Sequence, residues 1–267
     1  MSDLFTAPLP SEAVAVPEHA YHGNIQAQVF FAAVRRTEEM ARLQAQAEKR
    51  KSLLVFGPEA VGKTRLLRDF LKTQPLSLFV PRVESPREML LALIAELRRL
   101  GMRGVDLPAN TQSLSSSGLK GVIQRALDVH PFSLALDQIS GPSRVVTGLI
   151  KDLNYFDRTP VIFVARTPHM EDIGALQPMC ARSSERLELK EFAPPIALEF
   201  ARWEARNADL WASNLDEVLR LFADSSKGNP GAIVQMVKMA HFPRYRVGDQ
   251  IKSHVLYLDY RMGRRES

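Results

Sequence analysis

A single cysteine, Cys180, occurs among the 267 residues, so no internal disulfide can form and we expect a reducing compartment, the cytoplasm. No run of about 18 apolar residues occurs without a charge, and the sequence therefore predicts no membrane-spanning helix. The first 23 residues lack a basic start followed by an apolar core, so we expect no secretory signal. The histidines are scattered without cysteines at ligand spacing, which argues against a zinc site.

The composition is that of a globular protein, with 45% hydrophobic and 24% charged residues. A chain of this length can form one large α/β domain with a small helical appendage. The formal net charge of +5 permits contact with DNA or an acidic partner protein. The basic residues are spread along the chain, however, so charge alone does not select a partner class.

Short apolar runs alternate with helical segments over most of the chain. Strands are predicted at 52–56, 76–83, 133–137, 160–165 and 186–192, and helices at 24–48, 63–72, 85–102, 119–130 and 143–156. The polar segment 103–118 is predicted to be a loop. This order predicts an α/β fold, in which a parallel sheet of five strands forms the middle of three layers.

The same patterns divide the chain into four parts. Residues 1–23 are predicted to be an extended arm and residues 24–192 the α/β core. Residues 193–241 contain three helical stretches without a strand, which predicts a small helical subdomain. Residues 242–267 fit a helix or a strand equally well.

The segment "GPEAVGKT", residues 57–64, matches the phosphate-binding pattern G-x-x-x-x-G-K-[ST] between a predicted strand and a predicted helix. Its backbone N–H groups can surround phosphates, Lys63 supplies a cation, and Thr64 supplies a hydroxyl for Mg²⁺. We expect nucleotide contacts from the loop and the residue after it: Gly57, Pro58, Glu59, Ala60, Val61, Gly62, Lys63, Thr64 and Arg65.

The apolar run "LALD" ends in Asp137, which is a candidate Mg²⁺ ligand at the end of a buried strand. Asp137 follows Lys63 by 74 residues, so a strand and helices lie between the two motifs. No guanine-reading N-K-x-D tetrad occurs, which favours ATP over GTP. The next residue is Gln138, which cannot accept a proton, whereas many fast ATPases carry glutamate there.

Two further segments complete the predicted site. Arg166 ends the strand "VIFVA", where its guanidinium can approach a γ-phosphate. The segment "KGNPGAI" contains Gly228, Asn229 and Pro230 and begins a predicted helix of the helical subdomain.

With these motifs in this order, the chain resembles the AAA+ and STAND classes of P-loop ATPases over about residues 20–241. "GPEAVGKT" is similar to their Walker A motif, "LALDQ" to Walker B, "FVAR" to the sensor-1 strand and "GNP" to the lid-helix motif. The resemblance implies that the helical subdomain is a lid, with Pro230 near the adenine. It also implies a nucleotide-dependent conformational change and self-association.

The chain departs from these classes in two ways. Gly231 and Ala232 follow Pro230 where many relatives carry the sensor-2 arginine. Gln138 replaces the Walker B glutamate. Glu59 is a conceivable substitute base, but we favour its interpretation as an exposed acid of the loop. The resemblance also implies a finger that reaches a neighbouring subunit, for which Arg182 is the candidate, with Arg186 competing.

These observations predict an ATP-binding, slowly hydrolysing nucleotide switch that controls assembly or partner binding. Lys63, Asp137, Gln138 and Arg166 are its candidate catalytic residues, and Thr64 and Asp137 are its candidate Mg²⁺ ligands. An ATP-dependent DNA-associated adaptor of the transposition or DNA-loading type and a non-hydrolysing ATP-binding scaffold remain alternatives.

Overall fold

The structure is a computed structural model that describes residues 30, 32–101, 104, 106–154 and 158–263. These residues form two compact units. The sheet unit is Arg36–Glu191, and the helical unit combines the described residues of Met1–Arg35 and Phe192–Ser267. The arm predicted at 1–23 lies outside the described residues.

The sheet unit contains five strands and the helices that connect them. The strands are β1 (Leu53–Phe56), β2 (Ser77–Val80), β3 (Ser133–Ile139), β4 (Val161–Ala165) and β5 (Arg186–Glu188). The α-helices are α1 (Thr37–Glu48), α2 (Lys63–Lys72), α3 (Pro86–Leu100), α4 (Ser116–Val129), α5 (Arg144–Asn154) and α6 (Met170–Ile173). All neighbouring strands are parallel and their order is β2-β3-β4-β1-β5. The predicted five-stranded parallel sheet is confirmed.

Alternate side chains of β1 enter different hydrophobic clusters. Leu54 belongs to a cluster with residues of α3, α4 and α5, whereas Leu53 and Val55 belong to a cluster with residues of α1 and α2. Successive side chains of a strand point to opposite faces of a sheet. Helices therefore cover both faces, and the ends of the parallel strands carry the connecting loops at a common edge.

The predicted continuous helix 24–48 is wrong at Arg36, which adopts a left-handed conformation with φ 54° before α1 begins. The Arg36 guanidinium donates hydrogen bonds to the carbonyl oxygens of Lys190 at 2.7 Å and Val61 at 3.2 Å. These contacts bridge distant parts of the sequence and offset the left-handed strain of about 1–2 kcal/mol. The helical composition of residues 24–48 does not indicate these hydrogen bonds.

Other predicted boundaries also shift. The loop predicted at 103–118 ends early because the Ser115 hydroxyl accepts the Gly118 N–H at 3.1 Å, so α4 begins at Ser116. The strand predicted to end at Asp137 continues to Ile139. The fifth strand is shorter than predicted, because its pairing with β1 ends at Glu188.

The helical unit includes four α-helices, a 3-10 turn and a short antiparallel ribbon after residue 191, and its residues 30 and 32–34 are also helical. The helices are α7 (Pro194–Asn207), α8 (Leu215–Ser225), α9 (Pro230–Met239) and α10 (Ser253–Gly263), and the ribbon pairs β6 (Arg246–Val247) with β7 (Gln250–Ile251). The segment 242–267 fitted helix or strand on sequence, and its described part, 242–263, contains both. Phe30 and Val34 join the core of this unit with Phe200, Phe222 and Tyr245.

No helix among the described residues combines the length and the apolar character needed to cross a bilayer.

The "GNP" segment forms the start of α9. Gly228 has a φ of 79°, and a Cβ there would lie 2.0 Å from the Phe192 carbonyl oxygen, so a larger residue does not fit. The Asn229 side chain accepts the Ala232 N–H at 3.1 Å and caps the helix, while Pro230 is its first residue. Helix-start chemistry therefore explains Asn229 and Pro230, and the close approach of Phe192 explains Gly228.

Candidate functional site

The segment Gly57–Thr64 joins the carboxyl end of β1 to the first turn of α2. The Gly57 N–H donates to the Arg166 carbonyl at 3.1 Å, and the Leu189 N–H donates to the Phe56 carbonyl at 2.7 Å. A Cβ on Gly57 would lie 2.2 Å from the Leu189 carbonyl oxygen. These hydrogen bonds hold the start of the loop close to the ends of β4 and β5, and only glycine fits at position 57.

The middle of this loop passes twice through left-handed conformations, at Ala60 with φ 59° and at Gly62 with φ 104°. Alternating signs of φ turn successive N–H groups toward one side, which produces concave anion sites. Gly62 is also the N-cap of α2 and offers no side chain to the first N–H groups of the helix. Uncapped N–H groups and the helix dipole together suit a phosphate group.

The Lys63 ammonium lies over the start of the loop. It donates hydrogen bonds to the carbonyl oxygens of Gly57 at 2.7 Å and Pro58 at 2.6 Å. Burial lowers the pKa of Lys63, whereas the nearby carboxylates of Asp137 and Glu59 act to raise it. The side chain is thus a partly desolvated cation held at the start of the Gly57–Thr64 loop.

Asp137 is the most deeply buried acid of the site, with 1% of its surface exposed. Its Oδ1 accepts the Gln138 N–H at 2.9 Å, while its Oδ2 is buried without a hydrogen-bond partner. Burial raises the pKa of Asp137, and the nearby Thr64 hydroxyl is the largest opposing influence. A buried carboxylate oxygen without a partner is costly unless a cation binds it.

These atoms fit the Mg²⁺ ion that the resemblance implies. Asp137 Oδ2 and the Thr64 hydroxyl oxygen can both coordinate a metal ion, and oxygen is the ligand atom that Mg²⁺ prefers. Within the described ranges, no group of three or more His, Cys, Asp or Glu side chains could hold a metal alone. A Mg²⁺ ion here would therefore need water or phosphate oxygens in addition, as is usual for nucleotide-bound Mg²⁺.

Gln138 occupies an irregular point of β3. Its φ is 52°, and the pairing register between β3 and β4 shifts between Leu136 and Ile139. The bulge exposes the Gln138 side chain and brings its N–H onto Asp137 Oδ1. The backbone at this position thus leaves Oδ2 as the oxygen of Asp137 that is free of hydrogen bonds.

The end of β4 brings Arg166 to the same edge of the sheet. Its carbonyl accepts the Gly57 N–H, and its exposed guanidinium is one of the charges that act on Lys63. In the turn that follows, the Thr167 hydroxyl donates to Asp172 Oδ2 at 2.5 Å. Asp172 is also among the charges that act on Lys63.

Three predicted arginines make contacts outside this cluster. The Arg182 side chain is 80% exposed beside Glu185, and the Arg186 guanidinium donates to the Cys180 carbonyl at 2.7 Å. Arg65 is exposed and faces Asp69. Pro230 belongs to the helical unit, and its contact with adenine stays a prediction.

Sequence reasoning missed three charged residues of the cluster: Asp172, Arg36 and Arg68. Arg68 helps to lower the pKa of Asp137 and lies one turn after Thr64 on α2, a spacing that could have indicated it. Asp172 lies in the single-turn helix α6, which follows Arg166 after an irregular segment, and Arg36 acts through backbone carbonyls. Neither leaves a recognisable pattern.

Comparison with known proteins gives structural matches alone. No protein-family model matches the chain, and no curated protein sequence does. Among solved structures, the Walker-type ATPase PABY2304 of Pyrococcus abyssi matches with a TM-score of 0.59 and 16% identity, covering 86% of this chain and 74% of that one. The Aeropyrum pernix ORC1 protein, solved in complex with DNA, matches with a TM-score of 0.57 and 15% identity, covering 85% and 65%.

A third solved structure, Cdc6p from Pyrobaculum aerophilum, matches with a TM-score of 0.54 and 12% identity. The match covers 76% of this chain and 59% of Cdc6p, so the chain spans less than two thirds of the length of Cdc6p and ORC1. At these identities the likeness concerns the fold. The chain has the fold of the AAA+ and related P-loop ATPases.

Proposed function

We propose that this protein binds ATP with Mg²⁺ and acts as a slowly hydrolysing nucleotide switch that controls assembly or partner binding in the cytoplasm. The observation that carries the proposal is the unpartnered, buried Oδ2 of Asp137, close to Thr64 and Lys63. A buried carboxylate of this kind is unfavourable in the free protein and becomes favourable when a cation binds. Binding of Mg²⁺ with ATP would therefore remove the unfavourable free energy of burying this carboxylate.

The residues around the loop have distinct roles in this proposal. The loop N–H groups and the N-terminus of α2 bind the phosphates, while Lys63 exchanges its two carbonyl contacts for phosphate oxygens. Thr64 and Asp137 would hold Mg²⁺, which supplies positive charge that neutralises the phosphates when bound. Arg166 contacts the γ-phosphate from the end of β4.

The identity of Gln138 supports a switch with a long-lived ATP state. A neutral amide cannot take a proton from water, so the step that glutamate serves in fast ATPases is weakened. A non-hydrolysing scaffold would bind ATP at the same site but would not hydrolyse it. Arg182, exposed at the surface, remains our candidate for reaching the nucleotide of a neighbouring copy.

Replacing Lys63 with alanine tests the ATP site. We expect about a 10- to 100-fold loss of ATP affinity, because a charge-assisted hydrogen bond contributes about 1.5–3 kcal/mol. Isothermal titration calorimetry with Mg²⁺ and ATP measures the change. Lys72→Ala is the matched control, since Lys72 is exposed at the end of α2 and pairs with Asp69. Equal affinity of Lys63→Ala and wild type would refute the ATP site.

Contact with DNA is a second candidate function, favoured by the surface of the helical unit from the last turn of α9 to the start of α10. Lys238, Arg244 and Lys252 are exposed there, with Phe242 52% exposed among them. Cations bind the phosphate backbone, and an aromatic ring can stack on a base. The ORC1 structure, which shares the fold, was solved in complex with DNA.

The double variant Arg244→Ala/Lys252→Ala should weaken DNA retention and lower its dependence on salt, because each lost phosphate contact reduces the salt slope by about 0.9. Fluorescence anisotropy with duplex DNA at several salt concentrations measures both. Arg202→Ala, which removes a cation paired with Glu199 on α7, should leave the slope unchanged. Absence of wild-type binding at low salt would remove this candidate.

A further inference from the structure

The turn after β4 holds one carboxylate in a fixed orientation. The His169 N–H donates to Thr167 Oγ1 at 3.2 Å, and the Thr167 hydroxyl donates to Asp172 Oδ2 at 2.5 Å. Because the backbone N–H occupies an acceptor position of the hydroxyl, the hydroxyl proton is directed at the carboxylate. Oδ2 of Asp172 is thereby engaged and the side chain is oriented, which leaves Oδ1 to accept from a water molecule.

Backbone hydrogen bonds place this carboxylate at the edge of the sheet where the phosphate loop begins. The Gly141 N–H, just after β3, donates to the Asp172 carbonyl at 2.9 Å. The backbone carbonyl of Arg166, one residue before Thr167, accepts the Gly57 N–H of the phosphate loop at 3.1 Å. Asp172 is therefore held near the ends of β3 and β4. Asp137 lies near the end of β3, and Arg166, whose carbonyl anchors the loop, directly follows β4.

Three carboxylates lie close enough to act on Lys63: those of Asp137, Glu59 and Asp172. Asp137 uses Oδ1 for the Gln138 N–H and offers Oδ2 to Mg²⁺. Glu59 is exposed on the loop itself, whereas Asp172 is half-buried and oriented by Thr167. A base needs an oriented carboxylate that is not a metal ligand, and Asp172 meets both conditions.

We propose that Asp172 is the general base of ATP hydrolysis and supplies the carboxylate that Gln138 lacks. The inference rests on the proposed ATP site. In the step, the oxygen of water forms a bond to the γ-phosphorus while one water proton passes to Asp172. The bond between the γ-phosphorus and the bridging oxygen breaks, and that oxygen keeps the electron pair as ADP leaves. Inorganic phosphate forms, and Asp172 releases its proton to solvent.

Asp172→Asn tests the role with little change in shape, because the amide oxygen can still accept the Thr167 hydroxyl. We expect phosphate release at saturating ATP to fall by about 100-fold, in the range that general bases contribute. ATP affinity from calorimetry should stay within about twofold of wild type, since the base acts mainly on the transition state. Glu171→Gln, the exposed neighbour on α6, should match wild type in both measurements.

A second variant separates a base from a residue that merely holds the turn. Gln138→Glu places a carboxylate beside Asp137 and should raise turnover on its own. In the Asp172→Asn background, Gln138→Glu should restore turnover to at least the wild-type rate, because the new carboxylate replaces the lost base. If the double variant stays as slow as Asp172→Asn, Asp172 supports structure only and the inference is overturned.

The outcomes also distinguish this inference from the ATP site itself. If wild type binds no ATP, the proposed function fails. If wild type binds ATP and Asp172→Asn releases phosphate at the wild-type rate, only the base assignment fails. If wild type binds ATP but releases no phosphate above the protein-free control, the base assignment is again overturned while nucleotide binding stands.

Discussion

Replacing Gly57 with alanine should lower the free energy of unfolding of the sheet unit by about 3 kcal/mol or more, a value typical of severe backbone and packing conflicts. The added Cβ would lie 2.2 Å from the Leu189 carbonyl oxygen. The two peptide hydrogen bonds beside it, to Arg166 and from Leu189, prevent the chain from moving away. The φ of 149° is also unfavourable for any residue with a side chain.

Denaturant unfolding followed by circular dichroism measures this loss. Gly148→Ala is the matched control, because Gly148 lies within α5 and nothing lies within 4 Å of its Cβ position. Alanine there should be neutral or stabilise by up to about 1 kcal/mol, given its better helix propensity. Similar unfolding curves for the two variants would contradict the close approach of Leu189.

Replacing Asp137 with asparagine should change stability in opposite directions with and without ligand. In the free protein the neutral amide is less costly to bury than a carboxylate whose Oδ2 has no partner, so the melting temperature at pH 7 should rise. With Mg²⁺ and ATP, wild type gains stability by binding and the variant should lose most of that gain. Hydrolysis should fall by about 100-fold or more, because the Mg²⁺ ligand is lost.

The pH dependence of the free protein supplies a second check. Burial raises the pKa of Asp137 in the folded state, so lowering the pH through this pKa protonates the carboxyl and stabilises wild type. The advantage of Asp137→Asn should therefore be largest at pH 7 and shrink as the pH falls toward that pKa. Thermal unfolding from pH 7 to pH 4 measures the difference, and a constant or growing gap would contradict a buried ionised Asp137.

The sequence was sufficient for the sheet and for the shape of the loop at Gly57–Thr64, because both depend on local signals. Apolar runs between breakers predict buried strands, and Gly62, Lys63 and Thr64 occupy a pattern tied to one loop shape. The start of α9 was also foreseeable, since Asn229 and Pro230 are common helix-start residues. In each case neighbouring residues determine the structure.

The remaining features depend on contacts between distant parts of the chain. The left-handed bulge at Gln138 follows from its pairing with β4, and the break at Arg36 follows from carbonyls more than twenty residues away. Asp172 enters the site because Gly141 and Thr167 hold its turn against the ends of two strands. No periodicity or spacing in the sequence records such contacts.

The division of the chain into units has a consequence for synthesis. Phe30 and Val34 belong to the core of the helical unit, yet the rest of that core lies beyond the whole of Arg36–Glu191. At roughly 5–20 residues per second, the ribosome needs about 10–30 s to make the intervening sheet unit. During that time the sheet unit can fold, whereas the core partners of Phe30 and Val34 have not yet been synthesised. A chaperone that binds this segment early would protect the nascent chain from aggregation.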